Sequence, residues 1–267
     1  MGGGAAGGAD RLGDVNSTVP TAPAELTPVA QDYLKAVWSE QEWSTKKVTS
    51  KQLSDRLGVG ASTVSETVRR LCDQGLLDHA PYGAVELTES GRRLALQMVR
   101  RHRLLETFLV NELGYGWDEV HDEAEVLEHA VSDLLVERLD VRLGRPGRDP
   151  HGDPIPAADG TVVRPDAVPM SEMGTGETGV VVRISDADPE ALRYLDEIGL
   201  GLDARVSVTT RREFAGTVHV EWTVPAGEPD GGPRGVTGAP VVPGPPVTPG
   251  SADLGLLAAS RVWVDRD

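Results

Sequence analysis

With 267 residues, the chain is long enough for two or three small domains, each with a modest core. Its net charge of −16 excludes a uniformly basic coat for nucleic acid, and its single cysteine, Cys72, excludes an intramolecular disulfide, which makes the cytoplasm the expected compartment. The acidity is uneven: residues 24–110 hold 12 Lys/Arg and 11 Asp/Glu, whereas residues 111–267 hold 13 and 29. No stretch approaches the ~20 apolar residues that span a bilayer, so no membrane partner is expected. The Gly/Ala-rich start lacks the charged segment and apolar run of a signal peptide.

Residues 1–26 read as a disordered tail. Thr27 and Pro28 are suited to the cap and first position of a helix reaching about Gln41, with Ala30, Leu34, Val37 and Trp38 on its buried stripe. Thr49 and Gln52 have capping-box spacing and open a short helix that ends at Gly58. A second helix is expected over residues 62–73, with Cys72 as a small buried residue. Residues 76–79 and 84–87 read as two strands of a wing around Pro81-Tyr82-Gly83, completing a winged helix-turn-helix over residues 27–87. Thr88 caps a long helix, Glu89–Leu113, closed by Gly114, and one further helix is expected over residues 120–143. A Pro/Gly/Asp-rich loop follows, and residues 157–176 read as a linker. Short strands over 179–184, 205–210 and 217–224, a helix over 189–198 and a last segment at 254–264 predict a small β-barrel over residues 177–267. A disordered Pro/Gly-rich insertion is expected near 225–250. The fold class is therefore multidomain and mainly α, with a β-rich end.

In the second helix of the helix-turn-helix, Ser62, Thr63, Ser65 and Glu66 face outward at the N-terminal end, where short polar side chains suit a major groove. Arg69, Arg70, Lys46, Lys47, Lys51 and Arg56 supply cations for phosphates. Two-helix elements of this kind also occur as plain core structure, but the attached hairpin favours double-stranded DNA. A near-neutral DNA-reading half beside an acidic remainder fits conditional binding.

The condition is suggested by residues 102–129. His102 lies at the edge of the stripe formed by Leu94, Met98, Leu105 and Leu109, with Glu106 one turn on. His121, Glu125, Glu128 and His129 fall within about 100° on the next helix. Four ionisable groups on one face repel unless neutralised, and imidazoles with carboxylates converging from two helices suit a divalent cation. Any one of these residues alone is better read as a hydrogen-bonded core histidine or a solvated acid; the set of six is not. His79, His151 and His219 lack such company and are read as ordinary histidines. Neither HExxH nor its reverse is present, and Gly174-x-Gly176-x-x-Gly179 precedes a strand instead of joining a strand to a helix, so it reads as a turn.

Taken together, Ala30-Gln-Asp-Tyr-Leu-Lys35, Ser62-Thr-Val-Ser65, Arg101-His-Arg-Leu-Leu-Glu106, His121-Asp-Glu-Ala-Glu125, Glu128-His129 and Gly152-Asp-Pro-Ile-Pro156 resemble the diphtheria toxin repressor family of metal-dependent regulators. The resemblance spans residues 26–156 and extends more weakly to the C-terminal segment, which resembles the SH3-like domain of three-domain members. It implies a homodimer, with residues 88–156 as the dimerisation and metal-binding domain, and two metal sites per subunit. One site would comprise Asp32, Glu125, Glu128 and His129; the other would comprise His102, Glu106 and His121. Iron-responsive members carry Met at the position of Asp32 and Cys at that of Glu125. Two carboxylates in place of two sulfurs harden the site and favour manganese(II). Two-domain manganese regulators have Glu where this chain has Lys35. The His102/Glu106/His121 set follows the three-domain iron type, whose C-terminal domain adds ligands; Asp188 is the nearest equivalent here.

The resulting expectation is a Mn(II)-activated, dimeric repressor of manganese uptake genes on palindromic operators, with no small-molecule substrate. An Fe(II)-dependent repressor of iron acquisition genes is the alternative within the family. A metal-dependent hydrolase with a fused winged helix is the alternative of another class, and no nucleophile or base motif supports it. A metal-free winged-helix protein would bind DNA regardless of chelator.

Overall fold

Thr27 and Pro28 begin helix α1 (Pro28–Glu42), the threonine side chain accepting from the Ala30 amide. Ala30, Leu34, Val37 and Trp38 are buried along it. Helix α2 (Ser50–Leu57) opens on the reciprocal Thr49/Gln52 capping box and closes on Gly58, whose φ of 65° suits glycine. Helix α3 (Ala61–Asp73) buries Val64, Thr67, Val68 and Leu71, and Cys72 on it is half-buried, not buried as the pattern suggested. Strands β1 (Leu77–His79) and β2 (Val85–Leu87) pair antiparallel, Leu77 opposite Leu87, to make the wing. The structure, a computed structural model, describes residues 19–80, 83–224 and 249–267, so most of the expected N-terminal tail, Pro81 and Tyr82 at the wing tip, and most of the 225–250 insertion lie outside the described residues.

Helix α4 (Glu89–Leu113) has the expected bounds. Thr88 fixes its start: its hydroxyl donates to the Gly75 carbonyl and accepts from the Gly91 amide. Gly91 lets the first turn lie against the strand entry, since a Cβ there would stand 1.9 Å from the Leu76 carbonyl oxygen. Gly91→Ala is therefore expected to destabilise this unit by about 3 kcal/mol, read as a lower urea midpoint with an unchanged slope.

Two compact units divide between Ala95 and Leu96. In the second, residues 120–143 are not one helix but two: α5 (Val120–Leu127) and α6 (Asp133–Arg142). Ser132 accepts from the Leu135 amide and starts α6 afresh, a cap that competes with continuing α5. The C-terminal part is a six-stranded antiparallel sheet, order β3-β8-β4-β5-β6-β7, of β3 (Ala167–Pro169), β4 (Thr178–Ile184), β5 (Arg205–Arg212), β6 (Thr217–Thr223), β7 (Gly250–Gly255) and β8 (Val262–Arg266). Helices α7 (Pro189–Glu197) and α8 (Leu256–Ala259) complete it around Met170, Val181, Leu192, Val206, Val220 and Val264. The sheet begins at Ala167, inside the expected 157–176 linker, because Val168 pairs with Val264 on a strand distant in sequence. Gly174, Gly176 and Gly179 lie in the turn entering β4 and at its start, with no helix following.

Candidate metal centre and DNA-binding helix

Helices α4 and α5 pack through Leu105, Leu109, Val120 and Ala124, and this apolar contact brings their polar positions together. His102 and Glu106 stand one turn apart on α4, His102 Nε2 lying 2.9 Å from Glu106 Oε1. From α5, His121 Nδ1 approaches His102 Nε2 at 3.2 Å and Glu106 Oε1 at 3.3 Å. His121 Nε2 faces Glu125 at 3.4 Å. The other nitrogen of His102, Nδ1, lies 2.7 Å from Oε2 of Glu128, which is fully buried at the end of α5. His129 is 3.8 Å from the second Glu128 oxygen. His102 and His121 each therefore turn one nitrogen toward Glu106 and the other toward a glutamate of α5. All six residues singled out from spacing on these helices lie in this one region.

Two further side chains join it that spacing did not nominate. Asp186, just beyond β4, lies 3.3 Å from His121 Nδ1. His151, expected to be an ordinary histidine, is fully buried and forms a potential ligand group with Glu106 and Asp186. Its Nε2 donates to the Trp117 carbonyl at 2.7 Å, whereas its buried Nδ1 has no hydrogen-bond partner. That carbonyl contact assigns the tautomer and leaves a lone pair available, as a metal-ligating imidazole requires. Asp188, expected as the C-terminal ligand, instead caps α7 and accepts from the amides of Glu190 and Ala191. The Asp188-Pro189 pair carries the sequence signature of a cap followed by a first helical position, which left Asp186 as the acid to choose.

The electrostatics are those of crowded, opposed charges. Burial disfavours the charged form of His121, but its hydrogen bonds to Asp186 and Glu106 outweigh it and push the imidazole up to about 10. Burial also works against ionised Glu106 and Asp186, yet the neighbouring imidazoles hold both carboxyls below their usual range. This donor set fits a divalent cation: carboxylates and imidazoles converge, and one buried nitrogen, His151 Nδ1, lacks a hydrogen-bond partner. In its absence a proton on His121 supplies the balancing charge.

In the DNA-binding unit, Ser62, Thr63, Ser65, Glu66 and Arg69 are exposed along α3. The Ser65 hydroxyl donates back to the Ala61 carbonyl, and Lys51 pairs with Asp55 at 2.7 Å on α2. Asp32 is half-buried on α1 of the same unit. No helix among the described residues is long and apolar enough to cross a membrane.

A winged helix-turn-helix joined in one chain to a buried imidazole–carboxylate cluster defines a DNA-binding regulator that responds to a metal. The chain matches the iron dependent repressor N-terminal DNA binding domain over residues 25–85, the metal binding and dimerisation domain of the same repressors over 88–157, and the FeoA domain over 168–223. It is 34% identical over 198 residues to the iron-dependent repressor IdeR of Mycobacterium tuberculosis, covering 70% of this chain and 86% of that one. It is 30% identical over 194 residues to the diphtheria toxin repressor of Corynebacterium glutamicum, covering 69% and 85%. Among solved structures, a manganese-dependent transcriptional repressor in complex with manganese is similar at 56% identity and a TM-score of 0.76, covering 89% of this chain and 100% of that one. The manganese regulator SloR is similar at 30% identity and a TM-score of 0.68, covering 91% and 100%. The chain belongs to the diphtheria toxin repressor family, and is a metal-dependent transcriptional repressor with a C-terminal SH3-like FeoA domain, not an enzyme.

Proposed function

We propose that this repressor is activated by Mn(II), controls manganese uptake genes, and binds palindromic operators as a homodimer. The observation that carries the metal choice is the donor set: every candidate ligand is a carboxylate or an imidazole. The one cysteine, Cys72, is on α3. Hard oxygen donors with a few imidazoles suit manganese, whereas the strongest competitors gain most from thiolate and thioether ligands. The similar repressor solved in complex with manganese points the same way; the relatives named for iron make Fe(II) the competing reading. For dimerisation, α6 leaves Leu134, Leu135 and Val141 exposed, an apolar face suited to a second copy of the chain.

One ligand set would be Glu125, Glu128 and His129, with Asp32 from α1; the other would be His102, Glu106 and His121, with Asp186 and His151. A bound cation supplies the positive charge that lets these carboxylates share a small volume. Without it, the proton on His121 offsets only part of the charge, and the remaining carboxylates of the Asp32, Glu125 and Glu128 set repel one another. A ligand role for Asp32 makes the DNA-reading half answer to that repulsion, because α1 belongs to the unit that carries α3. Ser62, Thr63, Ser65 and Glu66 would then meet base edges, with Lys51 and Arg69 on phosphates. Regulation on this account is a population shift, with tighter metal binding to the DNA-competent arrangement. The protein operates in the cytoplasm, with its operators.

The test is retention of sheared genomic DNA from the source organism by purified protein in Mn(II), anaerobic Fe(II) or chelator. Selective capture in Mn(II), with sequenced fragments upstream of manganese uptake genes, is the expected result. Equal capture in both metals would remove the manganese assignment, and capture persisting in chelator would remove metal control.

A further inference from the structure

The loop formed by residues 148–155 stands between α4 and β4 and is tied to both. On the α4 side, Arg103 donates to the Pro154 carbonyl at 2.7 Å and Arg100 to the Pro156 carbonyl at 2.8 Å. On the β4 side, Arg183 Nε donates to Asp153 Oδ1 at 2.6 Å, and the Ile184 amide donates to the His151 carbonyl at 2.8 Å. The same Asp153 oxygen lies 3.6 Å from Arg103 Nη2, so one buried carboxylate is shared by an arginine from each side. Arg103, Asp153 and Arg183 are all buried, and the Arg183 guanidinium also covers the Trp263 ring at 4.3 Å.

The backbone is shaped for this contact. The register of β4 against β8 skips Val182, passing from Val181 opposite Val264 to Arg183 opposite Trp263. Gly152 approaches the Val182 carbonyl so closely that a Cβ would lie 2.1 Å from its oxygen, and its φ of 89° excludes most other residues. At the rim, Arg148 makes a two-pronged pair with Asp203. None of these contacts involves a metal ligand side chain. Yet Asp186 follows Arg183 by three residues and reaches His121.

We propose that the Arg183–Asp153 pair and Gly152 form a metal-independent clasp that seats β4 on the metal-binding helices, making Arg183 the positioning residue that presents Asp186 to the His121 site. The metal then meets a nearly complete ligand set instead of having to recruit a loose domain. A domain recruited only by Asp186 would be held by a single coordination bond at a half-buried side chain; here the holding contacts are buried and separate. The inference rests on the metal-regulator reading above for the role of Asp186, but the clasp itself is tested without metal.

The experiment compares the full-length protein with R183M, G152A and D186N. Exchange of the peptide containing the Ile184 amide is followed by mass spectrometry in chelator and in Mn(II). Mn(II) occupancy is counted by electron paramagnetic resonance, and far-UV circular dichroism checks folding. In the natural sequence, Ile184 is expected to be equally protected with and without metal. R183M and G152A should expose that amide in chelator and weaken the second Mn(II) site about tenfold, the size typical of a lost supporting contact. D186N should weaken the same site while leaving Ile184 protected, which separates ligand from clasp. Because R183M removes one of the two arginines beside a buried carboxylate and could unfold, G152A gives an independent disruption with the ion pair intact. Protection of Ile184 that appears only with Mn(II), or unaltered second-site occupancy in both folded variants, overturns the clasp. A natural chain that takes up no Mn(II) overturns the positioning role together with the reading beneath it; in that case Ile184 protection still reports whether the domain is held.

Discussion

Glu125→Ala is expected to lose metal-dependent DNA binding, operator affinity in saturating Mn(II) falling about 100-fold toward its value in chelator, the upper range for coupling between two sites. Glu125 faces His121 Nε2 at 3.4 Å, and its side chain is 37% exposed, so its removal leaves no buried cavity. The fold should therefore survive, and fluorescence anisotropy on a captured operator would report regulation and not unfolding. Glu128→Ala makes an instructive contrast. That carboxylate is fully buried and receives His102 Nδ1 at 2.7 Å, so its loss also takes away the acceptor for one nitrogen of a buried imidazole. A stability cost of about 1–3 kcal/mol should accompany its loss of regulation. Glu125→Ala protein that still binds operator tightly in Mn(II), and releases it in chelator, would remove Glu125 from the site.

The contrast between these two glutamates also marks what a sequence can and cannot disclose. Cap and period were enough for α1, α2 and α4, because Thr27-Pro28, the Thr49/Gln52 pair and the Thr88 to Gly114 span are local signals acting within one turn. Helical spacing likewise gathered His102, Glu106, His121, Glu125, Glu128 and His129, since residues three or four apart must share a face. It could not rank their burial, because Glu128 is sealed by neighbouring elements and Glu125 is not. Ser132 starts a second helix within the expected single one, through a side-chain cap that weighs little in a hydrophobic pattern. His151 and Asp186 escaped notice for a different reason. Each arrives from a loop: Arg103 and Arg100 tie the His151 loop to α4, and the Ile184–His151 backbone bond and the Arg183–Asp153 pair tie that loop to the strand before Asp186. Side chains delivered by long-range pairing have no periodicity to betray them. The Asp-Pro cap at 188 is a local signal, whereas the approach of Asp186 to His121 depends on the tertiary fold.

The second large effect concerns protons. His121 in the metal-free protein is pushed up to about 10 from a reference of 6.5, against burial, by Asp186 and Glu106. A raised folded value means that this group stabilises the metal-free fold fully below about 6.5 and that the contribution is lost as pH rises through about 10. Metal binding has the opposite dependence, because a ligating imidazole must give up that proton. Glu106 and Asp186 are held low and are already ionised, so they release nothing across the neutral range. Below about 10, the proton on His121 alone lowers apparent affinity about tenfold per pH unit, and His151, raised against burial by the Asp149 and Glu106 carboxylates, adds to that slope. The His121 site should therefore bind Mn(II) at least about 100-fold more weakly at pH 6 than at pH 8, with proton uptake by weak buffer on metal addition. The thermal stabilisation conferred by Mn(II) should grow over the same interval. Asp149, pushed up to about 8 by burial and by the Asp153 and Glu106 carboxylates, also titrates there. His121→Gln leaves Asp149 in place, so the slope it removes belongs to His121. Anaerobic Mn(II) titrations at pH 6, 7 and 8 that give one affinity for the natural sequence would show that no proton stands in for the metal at this imidazole.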